Sequence, residues 1–424
     1  MNQKSLSPEL LQKAVHSLPE DNLSIMRLEA ADRFSNMGFP VKGSEDWKYT
    51  DLSQIADLTS QWLNGSMQEN AVGRENHNTK IVESITDSID AHWIVVRDGV
   101  IDSDITGPNG TTIKKISTVN KKIVTGNDAM SVFNAAFLRD GIHITAAIPL
   151  KKPIGILYID GPSSVITQNR AIIEIEEECQ LQVVEICLSA AAGKQFTNTV
   201  TDFSIAAGAS VNYVRIQDRD FEHTSVNRVN ALLEKNTIFN HNGFDLGGAL
   251  TRNDIVTEIA GEGALVNLNG LYLASARQHI DNHTNIIHTV GPSTSTEEYR
   301  GIISGDSQCV FNGRVFVAKG ADGTDSNQYN HNLLLSERAE IDTKPELEIY
   351  ADDVKCAHGA TVGQLDESAL FYLRSRGLNL EESQRVLTHA FASGTLSKLT
   401  VEACYSYLTD LLDNRLELLV GAAG

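Results

Sequence analysis

The sequence predicts a mainly β protein whose long run of short strands lies between helical segments at its two ends. Two observations carry this. Between residues 160 and 345 short β-rich runs recur with Asn, Gly and Asp at their ends, and almost nothing reads as a long helix. The first and last 60 or so residues instead space their apolar side chains by three and four. The expected division is an N-terminal helical domain over 1–62, a polar loop or linker over 63–89, a β core over 90–350 and a C-terminal helical domain over 351–424.

Ser7 and Pro8 suit the start of a first helix, with Leu10, Leu11, Ala14, Val15 and Leu18 on its apolar side. A second runs from about Leu23 to Met37 and stops at Gly38. Residues 64–80 are polar and aperiodic and read as a loop. Strand-like runs follow at 93–96, 155–159, 171–188, 210–216, 264–274, 285–290, 301–305, 309–318, 332–336 and 347–351. Ten or more such runs without intervening helices suit a sandwich, a barrel or a β-solenoid, and no strict repeat chooses among them. In the tail, Asp366 caps a helix over Glu367 to Arg374, a second spans Glu381 to Phe391 and closes at Gly394, and a third spans Thr400 to Leu418.

The composition narrows the class. A chain of 424 residues with 41% hydrophobic and 21% charged residues has ample material for a core. Lys and Arg number 35 against 55 Asp and Glu, and a net charge of −20 lacks the basic face that nucleic acid or an anionic membrane would need. No apolar run approaches the roughly 20 residues of a membrane helix, and the start, MNQKSLSPELLQKAV, does not read as a secretory signal. The five cysteines, Cys179, Cys187, Cys309, Cys356 and Cys404, are odd in number and include no CxxC pair. Together these point to a soluble protein of a reducing cytoplasm.

Signatures of standalone catalysis are missing: there is no GxxxxGK[ST], GxSxG or HExxH. The glycines of GFDLGGAL (243–250) read as turns. His279, Asp281 and His283 alternate and would share one face of a strand, as a metal or proton-transfer site requires, although a solvated polar face beside Asn282 and Asn285 is the simpler reading. Glu297 with Glu298, or Asp322 with Asp325, could be imagined as the acid pair of a hydrolase in a chain this rich in carboxylates. The sharpest cluster is Tyr350 to Thr361, where Cys356 and His358 stand two residues apart and point the same way from an extended strand. Thiolate and imidazole suit iron or zinc, but two ligands do not close a site, so a metal there would need ligands from elsewhere. A buried Cys and a hydrogen-bonded His is the plainer alternative.

This cluster lies within QYNHNLLLSERAEIDTKPELEIYADDVKCAHGATVGQLDESALFYLRSRG (328–377), which closely resembles the C-terminal signature of the SufB/SufD family of iron–sulfur cluster assembly scaffolds. FNGRVFVAKGADGTDSNQ (311–328) and SEDWKYTDL (44–52) resemble the same family, and the short helical start and the cysteine pattern are more like its SufD branch. The resemblance implies a right-handed parallel β-helix flanked by helical domains. It implies a non-catalytic scaffold that pairs its last strands with SufB and docks the ATPase SufC through its C-terminal helices, and a homodimer when the partner is absent. It places His358 at the SufB interface as a provisional, shared metal ligand, with Cys356 beside it. It further implies that the isolated chain binds no cofactor, that a transient iron–sulfur cluster forms at the interface, and that the complex admits reduced flavin. Phe371, Tyr372, Arg374 and Arg376 are of the types enriched at interface hot spots and are the expected ATPase-docking residues; an amphipathic helix packed on the end of the β-helix is the bland alternative. The competing readings are a β-helix carbohydrate-active enzyme and a self-contained metalloprotein using His279, Asp281 and His283.

Overall fold

The structure, a computed structural model, describes residues 6–65, 78–102, 105–119, 123–162 and 165–421. Pro8–His16 (α1), Ser24–Met37 (α2), Ser53–Asn64 (α3) and Asn78–Ser88 (α4) precede the strands His92–Arg97 (β1), Val100–Ile101 (β2) and Thr111–Lys115 (β3). After Ala129–Phe137 (α5) come Ile142–Ala146 (β4), Ile154–Asp160 (β5), Ile166–Ile175 (β6), Gln180–Ser189 (β7), Phe196–Ile205 (β8), Ser210–Asp218 (β9) and Thr224–Leu233 (β10). Ile238–Asp245 (β11), Leu250–Ile259 (β12), Leu265–Ala274 (β13), His279–His288 (β14), Thr294–Ile303 (β15) and Gln308–Val317 (β16) continue the series. Thr324–Leu334 (β17), Glu340–Ile349 (β18) and Val354–Gly363 (β19) end it, before Glu367–Ser375 (α6), Leu380–Leu396 (α7) and Tyr405–Gly421 (α8).

From β4 onward, odd strands build one sheet and even strands the other, each pairing in parallel with the strand two places away. The chain is therefore a parallel β-solenoid of about 8 turns, each turn giving one strand to each sheet. Registers are unbroken along the stack: Thr224, Leu250, His279, Gln308 and Glu340 form one column. Like residues consequently stack on like, and Asn267 donates to Asn240, which donates to Asn212, each at 2.8 Å.

Three cores follow from this geometry. The lumen holds alternate side chains of both sheets, including Ile156, Ile173, Val183, Phe203 and Phe239. The outer face of the odd-strand sheet is covered by α7 and α8, whose Leu396, Leu408 and Leu412 meet Leu157, Phe244 and Leu273. The outer face of the even-strand sheet is covered by α1, α2, α3 and α5, with Phe34 and Phe133 against Phe196 and Val226. No helix among the described residues is long and apolar enough to cross a membrane.

Several expectations are revised. The segment 63–89, read as a linker, contains α4, whose Ile85 is buried, as is Ile89 just after it; residues 66–77 of that polar loop lie outside the described residues. A strand, β19, occupies the start of the region read as helical, so the β body runs to Gly363. The run 171–188 is two strands separated by a turn at 176–179. Helix α5 was not foreseen because it is buried on all sides and so shows no polar face. Gly394 does not end its helix but sits inside α7, where an added Cβ would lie 2.4 Å from the Arg300 guanidinium carbon. The glycines of 243–250 divide between β11 and a turn in which Gly248 has φ +87°.

Candidate functional site

At the C-terminal end of the stack, β19 and β18 are the outermost strands of their sheets. At the other end the outermost strands, β2 and β3, pair antiparallel with β1 and β4. The last turn thus presents two ten-residue strands, each hydrogen-bonded to the sheet on one side only. Tyr350 and Val362 stand exposed there, at 61% and 49%. Long edges of this kind are templates for pairing with another chain.

Cys356 and His358 lie on β19 in register with Ser326 and Gln328 of β17, whose side chains are buried in the lumen. Both therefore occupy the lumen-side face of the edge strand, where Cys356 is partly buried and His358 is exposed. Burial pushes the Cys356 thiol up, a backbone hydrogen bond from Ser326 pulls it down, and Asp325 adds to the rise. The thiol is consequently protonated in the isolated chain at neutral pH, and a metal or a cationic partner must draw the proton off before sulfur ligates. Among the described residues no group of three or more His, Cys, Asp or Glu is gathered as a metal site. The edge offers two donors and an incomplete sheet, and both are completed only by something placed against it.

Helix α6 follows. Asp366 caps it, accepting from the Ser368 backbone N–H at 2.8 Å. None of its residues is fully buried: Ala369, Leu370 and Leu373 are half-buried on the side packed against α7, and the other side is open to solvent. Phe371 is 73% exposed, and Arg376 lies 5.2 Å from the Tyr372 ring centroid. Arg374 is exposed on the same short helix. Helices α7 and α8, by contrast, are pinned to the sheet: Lys398 pairs with Glu298, Arg415 with Asp218, and Arg300 lies over Phe391 at 5.3 Å.

The alternating His279, Asp281 and His283 do not form a solvated face. Asp281 is fully buried, takes Arg252 at 2.5 Å and His283 at 3.0 Å, and accepts from the Thr50 hydroxyl. Arg252 also donates to the Asp46 carbonyl at 3.0 Å and lies over the Trp47 ring at 4.5 Å. SEDWKYTDL is thus the strap that ties the N-terminal helices to the outer face of β12 and β14, and the histidine cluster is its anchor. Sequence reading missed Arg252 and Thr50, whose partners are remote in sequence.

The two carboxylate pairs also resolve. Glu297 is buried in the lumen while Glu298 faces outward to Arg300 and Lys398, so the sheet separates them. Asp322 accepts from the backbone N–H groups of Asp352 and Asp353, and Asp325 accepts from Asn327. Cys179, Cys187 and Cys309 are buried core residues, and burial raises each thiol, that of Cys187 to about 11.

Fold and edge together define a class: a parallel β-helix whose last turn is a free pairing surface carrying a thiol and an imidazole. The chain belongs to the SufBD family, for the model of the SUF system FeS cluster assembly SufBD core domain matches residues 157–391, more than half of its length. It is 28% identical to the iron–sulfur cluster assembly protein SufD of Escherichia coli over 402 residues, 89% of this chain and 90% of that protein. It is likewise 28% identical over 429 residues to an iron–sulfur cluster assembly SufBD family protein of Synechocystis, covering 96% and 94%. The SufD protein of Bacillus subtilis is 22% identical over 422 residues, covering 93% and 94%.

Proposed function

We propose that this protein is the SufD-type scaffold subunit of a SufBCD-type complex, and that the β18–β19 edge pairs with SufB to form the chamber in which an iron–sulfur cluster is built. The observation that carries this reading is the free edge of the last turn with Cys356 and His358 on its lumen side. Strand addition at that edge satisfies the unpaired backbone groups and brings partner ligands beside His358. Helix α6, packed on α7 with Phe371, Tyr372, Arg374 and Arg376 in solvent, is the docking element for the ATPase SufC. The energy for remodelling comes from SufC, and this chain contributes surface and ligands. Without SufB the same edge pairs with a second copy of the chain.

Co-expression with SufB and SufC, wild type against His358→Ala, tests the reading. The complex is expected to form in both cases, with iron and acid-labile sulfide lost in the variant. Unchanged cluster content would remove His358 from the site, and failure of the wild-type chain to bind either partner would overturn the scaffold assignment.

A further inference from the structure

The lumen is mixed along its length, with Glu185, Arg215 and Asp245 buried in the middle turns and Glu297, Gln328 and Asn330 among Phe311 and Val315 in the last ones, and its polar side chains stand in columns. In one column Glu297, Gln328 and His358 are register partners on β15, β17 and β19. Glu297 and Gln328 are 0% and 1% exposed, and Gln328 Nε2 donates to Glu297 Oε2 at 2.7 Å. That bond orients the amide, because a carboxylate takes the N–H end and leaves the carbonyl end free. Gln328 Oε1 is buried and accepts no hydrogen bond among the described residues. A buried oxygen left unpaired is costly. Neighbouring strands lie about 4.8 Å apart, and the group next along the column, toward the edge, is His358.

The facing sheet makes room for this arrangement. Gly313 of β16 stands across the lumen from Gln328, and a Cβ on it would come within 2.0 Å of Gln328 Nε2. Its register partners are Thr284 one turn deeper and Pro345 one turn outward, so neither adjoining turn offers a charged group to the amide from that sheet. Burial raises the Glu297 carboxyl to about 7 against the opposing pull of Thr284 and Gln328. A second column runs beside the first. His288 bonds Ser295 at 2.9 Å, Ser295 bonds Ser326 at 2.8 Å, and Ser326 is the register partner of Cys356.

We propose that Gln328, held by Glu297, is a positioning residue for His358: its Oε1 accepts one ring N–H of His358, which fixes the tautomer and turns the lone pair of the other ring nitrogen toward iron at the edge. Ligating imidazoles are commonly oriented in this way by a carbonyl or carboxylate behind them. The inference rests on the reading of His358 as a cluster-assembly residue and adds to it the two side chains that aim it.

The test uses the full-length chain with ring-15N histidine, recording two-bond 1H–15N correlations at a pH where imidazole is neutral, with His358 assigned from His358→Gln. The wild-type ring is expected in one dominant tautomer. Gln328→Leu removes the acceptor and Gly313→Ala displaces it, so each should shift the tautomer ratio by about fivefold toward that of a free imidazole. Ser326→Ala disturbs only the neighbouring column and should leave the ratio unchanged. A wild-type ring already in a free-imidazole mixture, or an unchanged ratio in Gly313→Ala, overturns the proposal even where Gln328→Leu fails to fold. Cluster content in the complex with His358→Ala is read separately: its retention would sink the functional reading of His358 and leave the tautomer result standing.

Discussion

Arg252 is the residue on which the N-terminal half of the molecule turns. It is 1% exposed and holds Asp254, Asp281, the Asp46 carbonyl and the Trp47 ring at once. Burial alone would raise the Asp281 carboxyl, but Arg252, His283 and Thr50 more than offset this and hold it well below the ordinary carboxylate range. Removing one partner of such a buried pair strands the other charge, at a cost of about 3–5 kcal/mol. Arg252→Ala should therefore lose that much stability in chemical denaturation, with part of it recovered in Arg252→Ala/Asp281→Asn. Equal stability of Arg252→Ala and wild type would show that the strap contributes nothing. The residues of this cluster were visible in the sequence as an alternating His279, Asp281, His283 triplet, but their burial was not. It depends on Thr50, 231 positions earlier in the chain than Asp281.

Among the described elements, α6 and the edge strands β18 and β19 carry no fully buried residue. Aromatic and Arg side chains on a helix with no buried residue contribute little to folding and much to binding. Phe371→Ala with Tyr372→Ala should leave the melting temperature of the isolated chain unchanged, a stability change within about 0.5 kcal/mol. If α6 is the docking element proposed above, the same double substitution should weaken association with SufC by about tenfold or more in isothermal titration. A drop in thermal stability with unaltered binding would return α6 to a purely structural role. The composition of α6 was legible in the sequence; which of its faces stays open to solvent was not, because that depends on how it packs against α7. Strands β8, β10 and β12 went unseen for a related reason. They carry Thr197, Asn198, Asn227 and Asn253 at buried positions, where Asp160, the Met130 carbonyl of α5 and stacked asparagines satisfy groups that read in sequence as surface.

For the whole molecule, burial of histidine sets the response to acid. Burial lowers His223 and His241 from 6.5 to about 3 and His288 to about 4. The unfolded chain binds these protons more tightly than the folded one, so their share of the stability is full above about pH 6.5 and is lost as pH falls toward 3–4. Glu297 acts oppositely: its carboxyl is raised from 4.5 to about 7, and its contribution is lost as pH rises through 7. Between pH 7 and 5 the buried imidazoles, with His279 lowered in the same way, outweigh Glu297. Calorimetry should accordingly show the unfolding temperature falling by several degrees between about pH 7 and pH 5, with a shallower fall in His288→Gln. A flat profile over that range would mean that these imidazoles are not held neutral.

Features set by local chemistry are legible in the chain alone. They include helix starts at Pro8 and after Asp366, short strands bounded by turn residues, helices at both ends, and a Cys356–His358 pair on one face of an extended segment. Other features emerge only on folding: partners in each sheet lie about 30 residues apart, as Gln328 and His358 do, the last turn ends in a bare edge, and Glu297 stands behind Gln328 in the lumen. The physical reason is that a solenoid's contacts are made between successive turns. Their register is fixed by the stacking of whole turns, which no short stretch of sequence encodes on its own.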